Sequence, residues 1–332
     1  MRLRTLAFAL GMTACALATP TLARSPDAAA FDAAASANPG RAFDMTYEGR
    51  SRRIDGLRAI DMEVEGPDGS PARMFRALVD GQAATIVRIG DRVNIALEAE
   101  TAPPPALASA SARTSRSSEW SIDYGFANDL VLEEETPVPP PRGTTGPLRT
   151  LDIWVFLHEN AGENDPARFV NWYVATWDAE MRESIAPDLR IRMFFKDKVD
   201  GITNMDYHSG DRVKRLQELS SLGQDYAESR GMGDSPGARY LLVVGDRGEN
   251  WGHEFLAPVY GLALQKGHAA MVSNTGPRHV LAHEIGHMFG ATHEDASSFP
   301  CASNMAGYVP LPSCLNYTDK NRENIRKYLD RY

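Results

Sequence analysis

The chain has 332 residues, 43% hydrophobic and 24% charged, a globular composition with length enough for one large domain or two modest ones. Its formal net charge is −9, and its 44 acidic and 35 basic side chains are interspersed, so the basic face that nucleic acid demands is missing. No stretch reaches the ~18 consecutive apolar residues of a membrane helix, which excludes an integral span and leaves a soluble mature protein as the expectation.

Residues 1–23 carry Arg2 and Arg4, an apolar run from Leu6 to about Ala18, and small-x-Ala sites at Ala16-Leu17-Ala18 and Thr21-Leu22-Ala23. This order is that of a cleaved secretory signal peptide, so the protein is expected to be secreted. Two other readings of the stretch are a buried helix and a lipoprotein site, Met12-Thr13-Ala14-Cys15, with Cys15 acylated; Met three places before the Cys and the continuing apolar run count against the second. Once Cys15 leaves with the signal, Cys301 and Cys314 remain. An even pair in an exported protein, within a Pro-, Ser- and Gly-rich segment, predicts a disulfide closing a local loop.

Residues 24–135 contain short alternating runs, Ala59 to Gly66, Met74 to Gly81, Ala84 to Gly90 and Val93 to Glu100, punctuated by Gly and Asp. They predict a small, mostly β N-terminal module. Two low-complexity stretches follow, Thr101 to Ser118 and Thr136 to Pro147; the second is dense enough in Pro for a stiff linker over 136–150.

From Leu151 to the end, 151–332, strands alternate with helices, which predicts an α/β layer with a largely parallel sheet. Leu151 to His158 is a continuous apolar strand, Asp165-Pro166 opens a helix to about Ile185, and Leu189 to Asp197 alternates as a strand. A helix from Asp211 to about Glu228 and a buried strand, Arg239 to Asp246, come next. Pro258 and Gly261 mark Glu254 to Gln265 as an edge strand, with one more strand from His268 to Asn274. A helix begins near cap-type Ser273, Asn274 or Thr275, has Pro277 in its first turn, and ends at Gly290. The tail from Thr318 or Asp319 reads as an exposed final helix.

Within the Gly290 helix, His283 and His287 lie four residues apart, so their imidazoles face the same side and can share a cation. Glu284 is offset by one position; it cannot chelate alongside them, but it can reach a water on the metal as a general base. His293 follows His287 by six residues, which a straight helix would place on the wrong side, and Gly290 is positioned to turn the chain back. Three imidazoles without a thiolate suit Zn²⁺ and leave a fourth position for water, the catalytic arrangement. Val280, Ile285, Met288 and Phe289 read as packing residues, and His279 as a helix-surface residue.

The run His283-Glu284-Ile285-Gly286-His287-Met288-Phe289-Gly290-Ala291-Thr292-His293 resembles the extended zinc signature of the metzincin endopeptidases, and its wording is similar to the adamalysin or reprolysin-like branch, as a bacterial-type secreted member. The resemblance implies that Met305 forms the methionine turn beneath the metal. It also implies an auxiliary oxyanion role for Tyr308, although Tyr308 stands three residues beyond the Met where the related families have Tyr at two. A second departure is Glu294 directly after His293, with Asp295 one place later than that branch has its Asp. The fold implied is an α/β metzincin-like catalytic domain over 151–332: a twisted mixed sheet with an antiparallel edge strand, an active-site helix and a small C-terminal subdomain.

The function implied is a secreted zinc endopeptidase in which a zinc-bound water, assisted by Glu284, attacks peptide bonds of protein or peptide substrates, which could add as a strand to the edge strand over 255–265. A noncatalytic zinc-stabilised binding protein and a zinc hydrolase of a non-peptide amide are the alternatives; Glu284 argues against the first, since a structural site needs no base. The acidic loop Asp246 to Glu254 is a weaker candidate for Ca²⁺. Residues 24–135 read as a pro-segment, with a permanent accessory domain as the rival. No Cys lies between Ala16 and Pro300, which excludes a cysteine switch, and Arg142 or Arg149 are candidate activation sites.

Overall fold

The computed structural model describes residues 26–97, 132–133, 149–162, 165–233, 235–245, 260–306 and 313–331. The signal region, most of the 136–150 linker, the acidic loop Asp246 to Glu254 and Tyr308 lie outside the described residues.

A helix, Pro26–Ala37, precedes five strands: β1 (Phe43–Tyr47), β2 (Arg50–Glu65), β3 (Pro71–Val79), β4 (Gln82–Ile89) and β5 (Arg92–Leu97). β6 (Leu132–Glu133) follows, then β7 (Thr150–Leu157), β8 (Arg190–Lys196), β9 (Ala238–Val244), β10 (Gly261–Gln265) and β11 (Ala269–Ser273). The strand order is β5-β4-β3-β2-β8-β7-β9-β11-β10-β6, with β1 paired to β2. β8, β7, β9 and β11 run parallel, and β10 turns back antiparallel to β11, pairing Gly261 with Val272 and Ala263 with Ala270. The expected mixed sheet with its antiparallel strand is therefore present, but that strand is not the edge: β6 pairs with β10 on its outer side.

β7 is buried from Leu151 to Leu157 and apolar there except for Asp152, which pairs with Arg192 at 2.6 Å, because the sheet is covered on both faces. Ile153, Val155 and Leu157 face a core shared with the helical run 166–185 and the helix Val280–Met288. Trp154 and Phe156 face the other way, each meeting the Tyr226 ring of the helix Arg212–Ser229 edge-on at 5.6 Å. The 166–185 run starts as read: the Asp165 carboxylate accepts from Ala167 N at 3.0 Å and Pro166 occupies the first turn. It contains two π-wound stretches, Val170–Val174 and Met181–Ile185.

The N-terminal strands do not form a sheet of their own. The end of β2 pairs in parallel with β8, Glu63 to Arg192, Val64 to Met193 and Glu65 to Phe194, so the β2–β5 meander extends the main sheet. Met62, Val64, Met74, Val87 and Ile89 belong to the same buried cluster as β7 and β8. Buried Asn171 donates its amide to Thr85 O at 3.0 Å and to Asn94 O at 3.0 Å. Ion pairs Glu63–Arg190, Glu65–Lys196 and Arg76–Glu183 rim this junction. Glu63–Arg190 and Arg76–Glu183 are largely solvent-facing, so they stabilise the junction less than the shared apolar core and the Asn171 amide do, whereas Lys196 is buried against Glu65. A second cluster, including Phe31, Phe43, Ile54, Val79 and Ile86, packs the Pro26–Ala37 helix onto the module; neither that helix nor β1 was anticipated.

Two expectations are corrected. The histidine helix begins at Val280, with His279 at its N-cap position, because Ser273 completes β11 and its hydroxyl accepts from Thr275 N at 3.2 Å in a tight turn. The final helix, Asp319–Leu329, capped by Thr318 as expected, is half-buried: Asn321, Ile325, Tyr328 and Leu329 lie on one face and pack inward. Its many charged residues hide that four-residue stripe.

His268, in the turn between β10 and β11, donates from Nδ1 to Ala238 O at 3.0 Å, and the Arg239 guanidinium lies beside the same nitrogen, Nη1 at 3.2 Å. Burial, and then the Arg239 guanidinium, push its pKa from the usual 6.5 down to about 4. The unfolded chain takes up this proton near 6.5 and the folded chain does not. The stabilisation is therefore complete above about pH 6.5 and is lost as pH falls toward 4, amounting to about 2 kcal/mol lost by pH 5. Urea unfolding at pH 7.5 and pH 5.0 should show the wild type losing about 2 kcal/mol more than His268→Gln; equal losses would contradict this assignment.

Candidate metal centre

Every residue of the helix Val280–Met288 is buried, and one turn separates His283 from His287 on its face, bringing their Nε2 atoms within 3.1 Å. The helix ends where a residue with positive φ is needed: Gly290, at φ 84°, donates to His287 O at 2.9 Å, and Ala291 N reaches back to Gly286 O at 2.9 Å. This double bond pattern is the Schellman termination. It folds the chain back so that His293 Nε2 comes 3.0 Å from His283 Nε2 and 3.1 Å from His287 Nε2. Among the described residues, these three make up the one group of three or more His, Cys, Asp or Glu placed to hold a metal.

The outward nitrogens define the tautomers. His283 Nδ1 donates to Asn304 O at 2.7 Å; His287 Nδ1 donates to Gln265 Oε1 at 3.1 Å and more weakly to Ala291 O at 3.3 Å. Carbonyl oxygens can only accept, so both Nδ1 atoms carry protons and both Nε2 lone pairs point to the centre of the triangle. Burial, followed by the neighbouring His283 and His293, holds the His287 pKa well below 6.5, in the neutral form a ligand needs. Two imidazole nitrogens on a tetrahedral zinc with bonds of about 2.0–2.1 Å stand roughly 3.3 Å apart, so the spacing and the sulfur-free donor set fit Zn²⁺.

Glu284 is buried beside the triangle, its carboxylate seated against the backbone of β10: a Cβ added to Gly261 would lie 2.2 Å from Glu284 Oε1. Gly261 therefore leaves the volume that the carboxylate fills. Met305 lies fully buried beneath the helix, where a Cβ on Gly286 would come 2.6 Å from its sulfur and 2.9 Å from Tyr317 Cε1. Tyr317 donates its hydroxyl to Ala282 O. The segment before Met305 is pinned from several sides. Asn304 N donates to Asn316 O at 2.7 Å, Cys314 N donates to Ala302 O at 2.8 Å, and Cys301 and Cys314 are joined in a disulfide with Cα atoms 5.4 Å apart.

Asp295 serves the fold around His293: its carboxylate accepts from Asn324 Nδ2 at 2.7 Å, while its carbonyl accepts from Thr318 Oγ1 at 2.6 Å. Asn321 brackets Thr292 on both sides, accepting from its N–H at 2.8 Å and donating to its carbonyl at 3.0 Å. His279 is half-buried at the helix start and stays outside the ligand group. The structure thus brings His283, Glu284, His287, His293 and Met305 together. Gln265, Gly286, Asn304 and Tyr317 had no part in the site as read from the sequence, and Gly261 only that of an edge-strand marker, since each acts through a contact that no local pattern encodes.

Residues 206–324 match the family described as metallo-peptidase family M12, Reprolysin_5, a span containing the three histidines, Glu284 and Met305. Among solved structures the chain is similar to metalloproteinase-II from Bacteroides fragilis, with a TM-score of 0.53 and 13% identity over 92% of this chain and 97% of that one. That coverage takes in more than the 149–331 part, so the likeness in fold includes N-terminal strands. Archaemetzincin from Methanopyrus kandleri aligns with a TM-score of 0.36 and 17% identity, over 57% of this chain and 98% of that one. A comparison with curated proteins finds no match.

Gly286→Ala sets a helix-propensity gain of about 1 kcal/mol against overpacking, which costs about 1–3 kcal/mol where buried neighbours cannot yield. Met305 and Tyr317 are fully enclosed, so the clash should win. Thermal unfolding of the variant is expected to show a lower midpoint than wild type; a higher one would contradict the close seating of the helix on Met305.

Proposed function

We propose that this chain is an exported zinc endopeptidase of metzincin type acting on protein or peptide substrates. The observation that carries the reading is the convergence of three imidazole Nε2 atoms at 3.0–3.1 Å with a buried carboxylate, Glu284, wedged between their helix and β10. The M12 match over 206–324 supports it. His283, His287 and His293 hold the ion. Bound there, zinc supplies Lewis acidity and brings the pKa of a coordinated water toward neutrality.

The chain's own residues perform the rest. Glu284 takes a proton from the attacking water and hands it to the amide nitrogen as the carbon–nitrogen bond breaks. β10 offers main-chain groups to an extended substrate, giving affinity with little demand on side-chain sequence. Met305 and the Asn304 carbonyl keep the site floor and the His283 ring in place. An export signal over 1–23 accords with the Cys301–Cys314 bridge, since disulfides persist in oxidising compartments.

β6 supports a pro-segment role for the stretch around it. It lies along β10 in parallel, Leu132 opposite Leu264 and Glu133 opposite Gln265, on the strand a substrate would extend. Release of β6, by a cut in the 136–150 linker, then precedes substrate entry. Residues 26–97 favour the accessory reading instead, because their strands share the main sheet and core and would remain docked after such a cut.

The test compares the full chain, nicked in the linker, with its Glu284→Ala variant on an unstructured protein substrate, zinc content being measured in both. Cleavage is expected to fall by about 10²–10⁴-fold in the variant while zinc is retained. Undiminished cleavage by the variant would remove Glu284 from the mechanism. Zinc held by both forms with cleavage by neither would favour the noncatalytic reading.

A further inference from the structure

Gln265 is the last residue of β10, and its side chain meets the C-terminal end of the histidine helix. Its Oε1 is 3.1 Å from His287 Nδ1, closer than the Ala291 carbonyl at 3.3 Å, and its Nε2 donates to that same Ala291 O at 3.3 Å. The orientation of the amide is determined by this pair of contacts. Reversed, it would set Nε2 against the Nδ1 proton and Oε1 against the Ala291 oxygen, donor on donor and acceptor on acceptor. The adjoining backbone reinforces the contact, since Lys266 N donates to His287 O at 2.9 Å.

We propose that Gln265 is a positioning residue for the metal: its carboxamide oxygen holds the proton of His287 on Nδ1, fixes the ring's rotation, and so presents the Nε2 lone pair to the ion. The assignment rests on the zinc-site reading above. His283 receives the same service from a backbone carbonyl, Asn304 O, at 2.7 Å, which a side-chain substitution cannot remove. His287 has only the more distant Ala291 O, at 3.3 Å, as a backbone acceptor, and its nearer acceptor is a replaceable side chain that belongs to the strand proposed to receive the substrate. An outer acceptor of this kind orients a ligand imidazole and raises its basicity, and its loss weakens metal binding without removing any ligand.

The experiment uses the full chain stripped of metal, titrated with zinc against a chromophoric chelator and, separately, with Co²⁺ followed by its visible absorption. Gln265→Leu keeps the size and removes the acceptor, whereas Gln265→Glu keeps an acceptor for Nδ1. The Leu variant should bind zinc about 10–100-fold more weakly and show an altered Co²⁺ spectrum, while the Glu variant, which keeps the Nδ1 acceptor but loses the donor to Ala291 O, should lose clearly less. Thermal unfolding of the metal-free Leu variant at the wild-type midpoint would exclude a general loss of fold as the cause. Wild-type zinc affinity in Gln265→Leu, or equal losses in both variants, would overturn the role of Gln265 alone. A wild-type chain that binds no zinc would overturn the site reading with it.

Discussion

Imidazole lone pairs crowded within about 3 Å repel one another unless a cation lies among them, and much of the structure around the site serves to hold that unfavourable arrangement. Helical spacing supplies two of the rings, and the reversal at Gly290 returns the third. The outer nitrogens of His283 and His287 are tied to oxygens that can only accept, which leaves their inner nitrogens no proton to share. Asp295, Thr318, Asn321 and Asn324 then fasten the chain either side of His293 to the final helix, so the returning segment cannot relax outward. A site prepared in this way loses little conformational freedom when an ion arrives.

The sheet gives the site its second component. The same strand, β10, packs Gly261 against the Glu284 carboxylate, reaches His287 through Gln265, and carries β6 along its edge. The proposed base, one proposed ligand and the proposed substrate edge thus all meet one five-residue element. At the far side of the sheet, β2 joins β8 and brings the N-terminal strands into the central core. What the sequence suggests is a separable module is a continuation of the scaffold, its β2–β5 meander joined to β8 rather than to the linker side of the sheet.

Much of the site was legible because its chemistry is local. The His283-to-His293 run places the three histidines, Glu284 and the turn glycine within three turns, where helical periodicity decides geometry without knowledge of the fold. The helix starts at Asp165, Asp211 and Thr318 were legible for the same reason, since each of these side chains bonds to a backbone N–H within three residues. Illegible were the pairings between distant segments: Gly261 with Glu284, Gln265 with His287, Asn171 with Thr85 and Asn94. A glycine or glutamine in an edge strand looks the same whether or not a catalytic group lies opposite, and alternation identifies a strand without naming its neighbour. Local signals also misled where they had two uses. Ser273 and Thr275 are cap-type residues that here make a turn closing a strand, and the polar composition of the final helix obscured the buried stripe through Ile325, Tyr328 and Leu329.

Zinc K-edge X-ray absorption on the full chain loaded with one equivalent of zinc tests the central claim most directly. The account predicts three imidazole nitrogens at about 2.0–2.1 Å with one further light-atom ligand and no sulfur. Sulfur scattering at about 2.3 Å, or a spectrum without the imidazole pattern, would place the ion elsewhere and contradict the assignment of His283, His287 and His293 as its ligands.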